Sequence, residues 1–212
     1  MPSALRKWAY AHSGPLLKPA SLFAWFFYSR FSDKIRLIIG SGDTLYKGWF
    51  PTDIKTLDLT NKKDFRRYFK KRKIDLVLIE HVLEHLEIAD IEMMAQNIKE
   101  FANPNINIRV AVPDGFHADQ AYIDHVRPGG TGPAADEHKH LFNYRSLSEI
   151  FVKFGYGFNL IEYWDEDRNF HSTYKNDDEK GHIKRCFLNH RKNKDGKPNY
   201  TSLIIDFYLT QP

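Results

Sequence analysis

The stretch Ile74-Asp-Leu-Val-Leu-Ile-Glu-His-Val-Leu-Glu-His-Leu86 decides the fold of this 212-residue chain. Its first six residues form a nearly continuous apolar run, the pattern of a strand buried on both faces of a parallel sheet. Behind it the period changes, and Ile91, Met94, Ala95 and Ile98 recur at helical spacing between Ile88 and Phe101. Working outward, Lys34-Ile-Arg-Leu-Ile-Ile39 is a second such strand and runs into Gly40-Ser-Gly42. Asn103-Pro-Asn105 stops the helix, and Ile106 to Val112 forms a third strand ending at Pro113-Asp-Gly115. Two short extended pieces, Trp49 to Thr52 and Lys55 to Leu57, lead to Asp53 and Asp58, and residues 61–73 read as a basic helix. Ser146, with Glu149 three residues on, reads as the N-cap of a helix to Phe154 that Gly155 closes. Residues 159–164 and 201–209 give the last strands, separated by a charged excursion. The polar segment 116–143, rich in His, Asp, Gly and Pro, suits an ordered loop over a site. Alternating strands and helices followed by a closing strand pair predict an α/β doubly wound sheet.

With 42% hydrophobic and 15% aromatic residues, the chain buries most of its apolar surface in one core. The reading divides it into an N-terminal apolar, helical segment at 1–33 that caps the domain and the domain itself at 34–212. The most apolar stretch, Leu16 to Phe31, is interrupted by Lys18, Pro19, Ser21, Ser29 and Arg30 and is too short to span a bilayer. Arg6 and Lys7 precede apolar residues, but no small-residue cleavage site follows, so the expectation is a cytoplasmic chain with neither membrane span nor signal peptide. Phe23, Trp25, Phe26, Phe27, Tyr28 and Phe31 are expected to pack over the sheet or the site's mouth; peripheral membrane contact and a dimer contact are the alternatives.

Cys186 is the only cysteine, which excludes an internal disulfide and a multi-cysteine metal site. The net charge of +4 is concentrated in Arg66, Arg67, Lys70, Lys71, Arg72 and Lys73 and in residues 184–197, and is read as solvated faces rather than a nucleic-acid footprint.

A strand ending in Gly40-Ser41-Gly42 puts a turn without bulky side chains at the carboxyl edge of the sheet, where a ligand can approach the backbone. An acid after the next strand can accept hydrogen bonds from both ribose hydroxyls, and Asp53 is the candidate.

The 74–86 segment resembles the fourth-strand region of class I S-adenosylmethionine-dependent methyltransferases, in which Leu-Glu-His-Leu opens the following helix. Gly40 to Trp49 with Asp53, Val112-Pro-Asp114, His138-Lys-His-Leu-Phe-Asn-Tyr144, Tyr163 to Glu166, Phe170-His171, Asn193 to Gly196 and Ser202 to Asp206 are similar to one branch of that superfamily, small methyltransferases associated with polysaccharide synthesis. The resemblance implies a Rossmann-like, mostly parallel sheet with an antiparallel closing strand, and S-adenosylmethionine as cofactor. It implies that Gly40, Ser41 and Gly42 pass under the methionine part, Asp53 holds the ribose, Asp58 and Leu59 lie by the adenine, and Glu80 and His81 line the pocket. The first loop departs from the pattern, because it lacks a third glycine and leaves little room for a helix before Asp53.

Methyl transfer to a hydroxyl needs alignment and removal of a proton. Asp114, His117, His138 and His140 are the candidates for that base. His138 and His140 lie two apart, but no third ligand is identifiable and no metal is expected. Glu80-His81-Val82 stands where methyltransferases acting on planar nitrogens resemble one another in Asn or Asp followed by Pro-Pro and an aromatic, and Cys186 is far from the place of a cytosine-attacking nucleophile. A hydroxyl acceptor is the simplest choice, and the branch resemblance points to a sugar in a glycan or its precursor. An RNA or other small-molecule methyltransferase and a non-catalytic cofactor-fold binding protein are the competing readings.

Overall fold

A computed structural model describes residues 14–210 of the chain. After helix α1 (Gly14–Phe31), strand β1 (Arg36–Ile39) and the two-residue β2 (Phe50–Pro51) are followed by α2 (Lys62–Phe69), β3 (Ile74–Glu80), α3 (Ile88–Phe101) and β4 (Ala102–Val112). The second half adds α4 (Gln120–Val126), α5 (Tyr144–Val152), β5 (Tyr156–Trp164), β6 (Phe170–Ser172) and β7 (Leu203–Leu209). The strands form one seven-stranded sheet in the order β2-β1-β3-β4-β7-β5-β6. The pairs from β2 to β4 are parallel, and β7 enters antiparallel between β4 and β5. This is a Rossmann-like mixed sheet with the expected antiparallel closing strand.

Several local expectations change in detail. Lys55 to Leu57 is a turn, because the amides of Thr56 and Leu57 both donate to the Asp53 carbonyl at 2.8 Å and fold the chain back before it can pair. Asn143, not Ser146, caps α5: its side chain accepts from the amides of Arg145 and Ser146, and the Ser146 hydroxyl returns a bond from the Asn143 amide. A side chain with an acceptor one turn earlier takes the cap, and Ser146 completes the box from its third position. β4 begins at Ala102, with an irregular register between Ile74 and Leu76 of β3 that absorbs Asn103-Pro104-Asn105. The loop 116–143 contains α4, capped by Asp119.

Alternation along the strands gives the sheet two unlike faces. Leu37, Ile39, Val77, Ile79, Ile108, Val110, Leu203, Ile205 and Phe207 pack against apolar residues of α1, α2, α3 and α5. Ile38, Leu78, Ala111 and Ile204 point the other way and are covered by Tyr174, Ile183 and Cys186 from the excursion after β6. That excursion is a strap, short of regular structure, laid across the second face. Arg109 and Asp206, directly opposed on β4 and β7, hold it down. The Arg109 guanidinium, fully buried, binds Asp206 through Nε and Nη2 at 2.8 and 2.9 Å, and reaches Asp178 and the Gly181 carbonyl of the strap.

Glu162 of β5 fastens the strap's far end, accepting bonds from the Phe187 and Ser202 amides and the Ser172 hydroxyl. Burial pushes its carboxyl from 4.5 up to about 7, although these three donors pull it down. The folded state therefore holds this proton more tightly than the unfolded chain. The resulting stability is complete below about pH 4.5 and is lost as pH rises through about 7, a contribution of up to about 3 kcal/mol. Glu162→Gln presents an oxygen to the two amides and an NH2 to the Ser172 hydroxyl without titrating. Its urea-unfolding free energy between pH 5 and 8 is expected to fall less than that of the wild type; identical slopes would refute the assignment.

Among the described residues no helix is long and apolar enough to cross a membrane. The outer face of α1 nevertheless exposes Phe23, Phe26, Phe27 and Phe31.

Candidate functional site

The parallel strands end along one edge, and the site is built there. After Ile39 the chain turns at Gly40 with φ +62°, a left-handed conformation that favours glycine. A Cβ on Gly40 would stand 2.5 Å from the Val82 side chain, so the loop after β1 and the loop after β3 meet without space for one. The Ser41 amide donates to the Thr52 carbonyl and the Thr52 amide to the Ile38 carbonyl, which ties the glycine turn to the end of β2. No helix follows Gly42; residues 40–49 are turns and loop, in keeping with the short spacing to Asp53.

Two cavities open on either side of Gly40. The first, of about 340 Å³, has apolar walls from Ile39, Leu57, Leu59, Val82 and Leu86 and carboxylates at Asp53, Asp58 and Asp90. Asp58 Oδ1 is engaged by the Thr60 amide and hydroxyl, which hold its side chain in place. The second, of about 230 Å³, is lined by Gly40, Ser41, Gly42, Asp43, Thr44, Glu80, His81 and Arg185. The eight residues assigned to the cofactor thus divide between two adjoining cavities, with Gly40 and Ile39 common to both.

Glu80 also has a structural task, since its Oε1 accepts from the amides of Lys184 and Arg185 and brings the strap to the edge of the second cavity. His81 turns its backbone at φ +54° while its amide donates to the Ala111 carbonyl at 2.8 Å. The Ser202 hydroxyl donates to the Arg185 carbonyl at 2.5 Å, so the serine oxygen accepts from His81 Nε2 at 2.9 Å. Burial holds the His81 imidazole below its usual range despite the pull of Glu84.

A third, smaller cavity of about 90 Å³ lies beyond His81 and Arg185, which it shares with the second, and is bounded by Glu84, His85, Pro113 and His138. Of the four candidate bases, His138 lines it; none of the other three lines any of the three cavities. Asp114 is buried, with its carboxylate accepting from the Phe116 and Trp164 amides, and burial pushes it up to about 6. His117 stacks on Tyr122 with ring centroids 3.9 Å apart, and burial lowers it to about 4. His140 packs against Phe142 and donates its amide to the Glu84 carbonyl. Cys186 is buried under the strap with its thiol pushed up to about 12 by burial, so it offers no nucleophile.

Sequence reasoning missed Glu84, Val82 and Arg185 as site residues. The first two lie inside the 74–86 stretch, where the strand and helix-opening patterns carry no sign of a ligand, and Arg185 lies in a basic run indistinguishable from solvated charge.

No family model matches the chain, and no curated protein does. Among solved structures, the chain is similar to a SAM-dependent methyltransferase from Archaeoglobus fulgidus, at 15% identity and a TM-score of 0.45, over 97% of this chain and 98% of that one. It is similar also to the glycopeptide N-methyltransferase MtfA complexed with SAM, at 13% identity and a TM-score of 0.45, over 90% of this chain and 87% of that one. A third, LepI in complex with SAM, gives 11% identity and a TM-score of 0.41 over 90% of this chain, which spans 40% of the LepI chain.

Proposed function

We propose that this chain is a methyltransferase that moves the methyl group of S-adenosylmethionine to a hydroxyl, the acceptor being a sugar in a glycan or a glycan precursor. The observation that carries the reading is the pair of unlike cavities meeting at Gly40. The apolar one, with Asp53 at its rim, suits an adenosine: a flat ring between aliphatic walls and a carboxylate for two ribose hydroxyls. The polar one suits the amino-acid end, with Glu80 and Asp43 facing an ammonium and Arg185 a carboxylate. The cofactor carries no phosphate, so the missing helix after Gly42 removes nothing the ligand needs.

The third cavity shares His81 and Arg185 with the polar one, and an acceptor held there would lie next to the residues that would hold the cofactor's amino-acid end. There the protein's part is to align the acceptor oxygen with the breaking bond and to take its proton. Of the four candidates, His138 is the one that lines this cavity, which supports it as the base. The sugar acceptor is supported by the branch resemblance and by the aromatic, His and Asp side chains of residues 116–144, which suit stacking on a sugar ring and hydrogen bonds to its hydroxyls.

Calorimetry with S-adenosylhomocysteine tests the proposal. The wild type is expected to bind one equivalent while a nicotinamide dinucleotide gives no heat. Asp53→Ala is expected to weaken binding roughly 10- to 150-fold, the loss of charged hydrogen bonds worth about 1.5–3 kcal/mol. Absence of binding at millimolar ligand rejects the proposal and leaves a fold without the cofactor.

A further inference from the structure

Glu84 is the polar side chain in this region that its own fold leaves least satisfied. It is 0% exposed, and among the described residues neither carboxylate oxygen has a hydrogen-bond partner of good geometry. The His81 Nδ1 lies 3.2 Å from Oε1, but His81 donates to Ser202 through Nε2, so in the neutral ring Nδ1 has no proton to give to Glu84. An ionised carboxylate buried without donors is costly unless a cation stands beside it. Across the third cavity from Glu84 are His85 and His138, their rings edge to face with centroids 4.7 Å apart. One carboxylate oxygen of Glu84 and one ring nitrogen from each histidine lie within 4.8 Å of one another.

The backbone settles how the two imidazoles present themselves. His138 Nδ1 lies 2.6 Å from the Val126 carbonyl, and His85 Nδ1 lies 3.3 Å from the Glu137 carbonyl. A carbonyl can only accept, so each Nδ1 carries a proton, and in the neutral tautomer that this selects the lone pair is on Nε2. A ligating histidine that donates its other N–H to a backbone carbonyl is the usual outer support of a metal site. The sequence offered His138 and His140 without a third ligand. The fold replaces His140 with Glu84 and His85, which lie 54 and 53 positions before His138.

From this we infer that Glu84, His85 and His138 form a binding site for a divalent transition-metal ion of the Zn2+ type, with at least one coordination position open to the cavity. Two imidazoles and one carboxylate are a borderline donor set, suited to Zn2+ or Fe2+ rather than to Mg2+ or Ca2+. Tetrahedral coordination at about 2.0–2.1 Å separates ligand atoms by roughly 3.4 Å, so the trio draws together by up to roughly 1.4 Å on binding. His85 and His138 are only half-buried and can make that rotation. The site adjoins the place where the acceptor oxygen is put above. With an ion present His138 serves as its ligand, and the ion lowers the pKa of an oxygen on its open position. That use rests on the methyl-transfer reading, whereas binding of the ion does not.

The test is a titration of the full chain, stripped with a chelator, with Zn2+ followed by calorimetry, and with Co2+ followed by its visible d–d absorption. One ion per chain is expected, with an intense Co2+ spectrum of low coordination number. His85→Ala and His138→Ala, on half-buried residues, are each expected to weaken Zn2+ at least tenfold and to abolish that spectrum while keeping the wild-type circular dichroism. Glu84→Gln is expected to do the same, and His171→Ala, at the far β5–β6 hairpin, to leave both unchanged. No stoichiometric binding, or binding indifferent to His85→Ala and His138→Ala, overturns the site. S-adenosylhomocysteine binding measured on the same samples separates this outcome from failure of the methyltransferase proposal.

Discussion

Arg109→Met is expected to lower the unfolding free energy by about 3–5 kcal/mol, the usual cost of removing one partner from a buried ion pair. For a chain of this length that is a fall in Tm of roughly 6–20 °C. The reason lies in what remains. Asp206 is fully buried and among the described residues would keep Lys180 alone, at 3.3 Å, while the strap would lose its bonds from Arg109 to Asp178 and the Gly181 carbonyl. Gly181 sits with φ +116° close against Leu78 and Trp49, so the strap's seat on the second face depends on that anchor. The double variant Arg109→Met with Asp206→Leu removes the uncompensated buried charge and is expected to recover that part of the loss, while the part due to the strap's lost bonds to Asp178 and the Gly181 carbonyl remains. Differential scanning calorimetry on the three proteins decides it. A single variant within about 1 kcal/mol of wild type would mean that water or another charge already satisfies Asp206.

Trp25→Ala is the second large effect, at about 3–5 kcal/mol for an aromatic removed from a packed core. Trp25 is buried, with its ring 5.1 Å from those of Phe50 and Phe69 and 5.6 Å from those of Tyr28 and Tyr68. α1 is bound to α2 by further contacts: Lys18 pairs with the buried Asp64, and the Tyr68 oxygen, whose proton goes to the Thr56 carbonyl, accepts from the Ser21 hydroxyl at 3.0 Å. The helix is thus a part of the core it covers. Loss of Trp25 is expected to lower the single unfolding transition of the whole chain. Phe23→Ala and Phe31→Ala, at 69% and 79% exposure, are expected to stay within about 0.5 kcal/mol. A separate early transition in Trp25→Ala, leaving the main one in place, would show instead that α1 melts independently of the sheet.

The strand-end edge of the sheet is legible in the sequence because it is local. A buried strand announces itself by an apolar run, and its carboxyl end by the glycine or acid that follows, so Gly40 to Gly42, Asp53, Glu80 and His81 fall where the chain order puts them. The helix over Ile88–Phe101 was readable to the residue from its period. The cap at Asn143 was misplaced by one turn because Asn and Ser carry the same signal, and only backbone angles choose between them.

What the sequence determined by itself, then, is the succession of strands and helices and the residues at each strand's end, since both depend on contacts within a few positions. The tertiary structure alone decided which side chains meet across long separations. Arg109 finds Asp178 and Asp206 at 69 and 97 residues' distance, and Glu84 finds His138 across a sheet edge. A charged residue inside an apolar run, or a glutamate in a helical turn, gives no local sign of its partner. The low dielectric of the interior turns such meetings into anchors and sites, and the chain's path sets which residues it brings there.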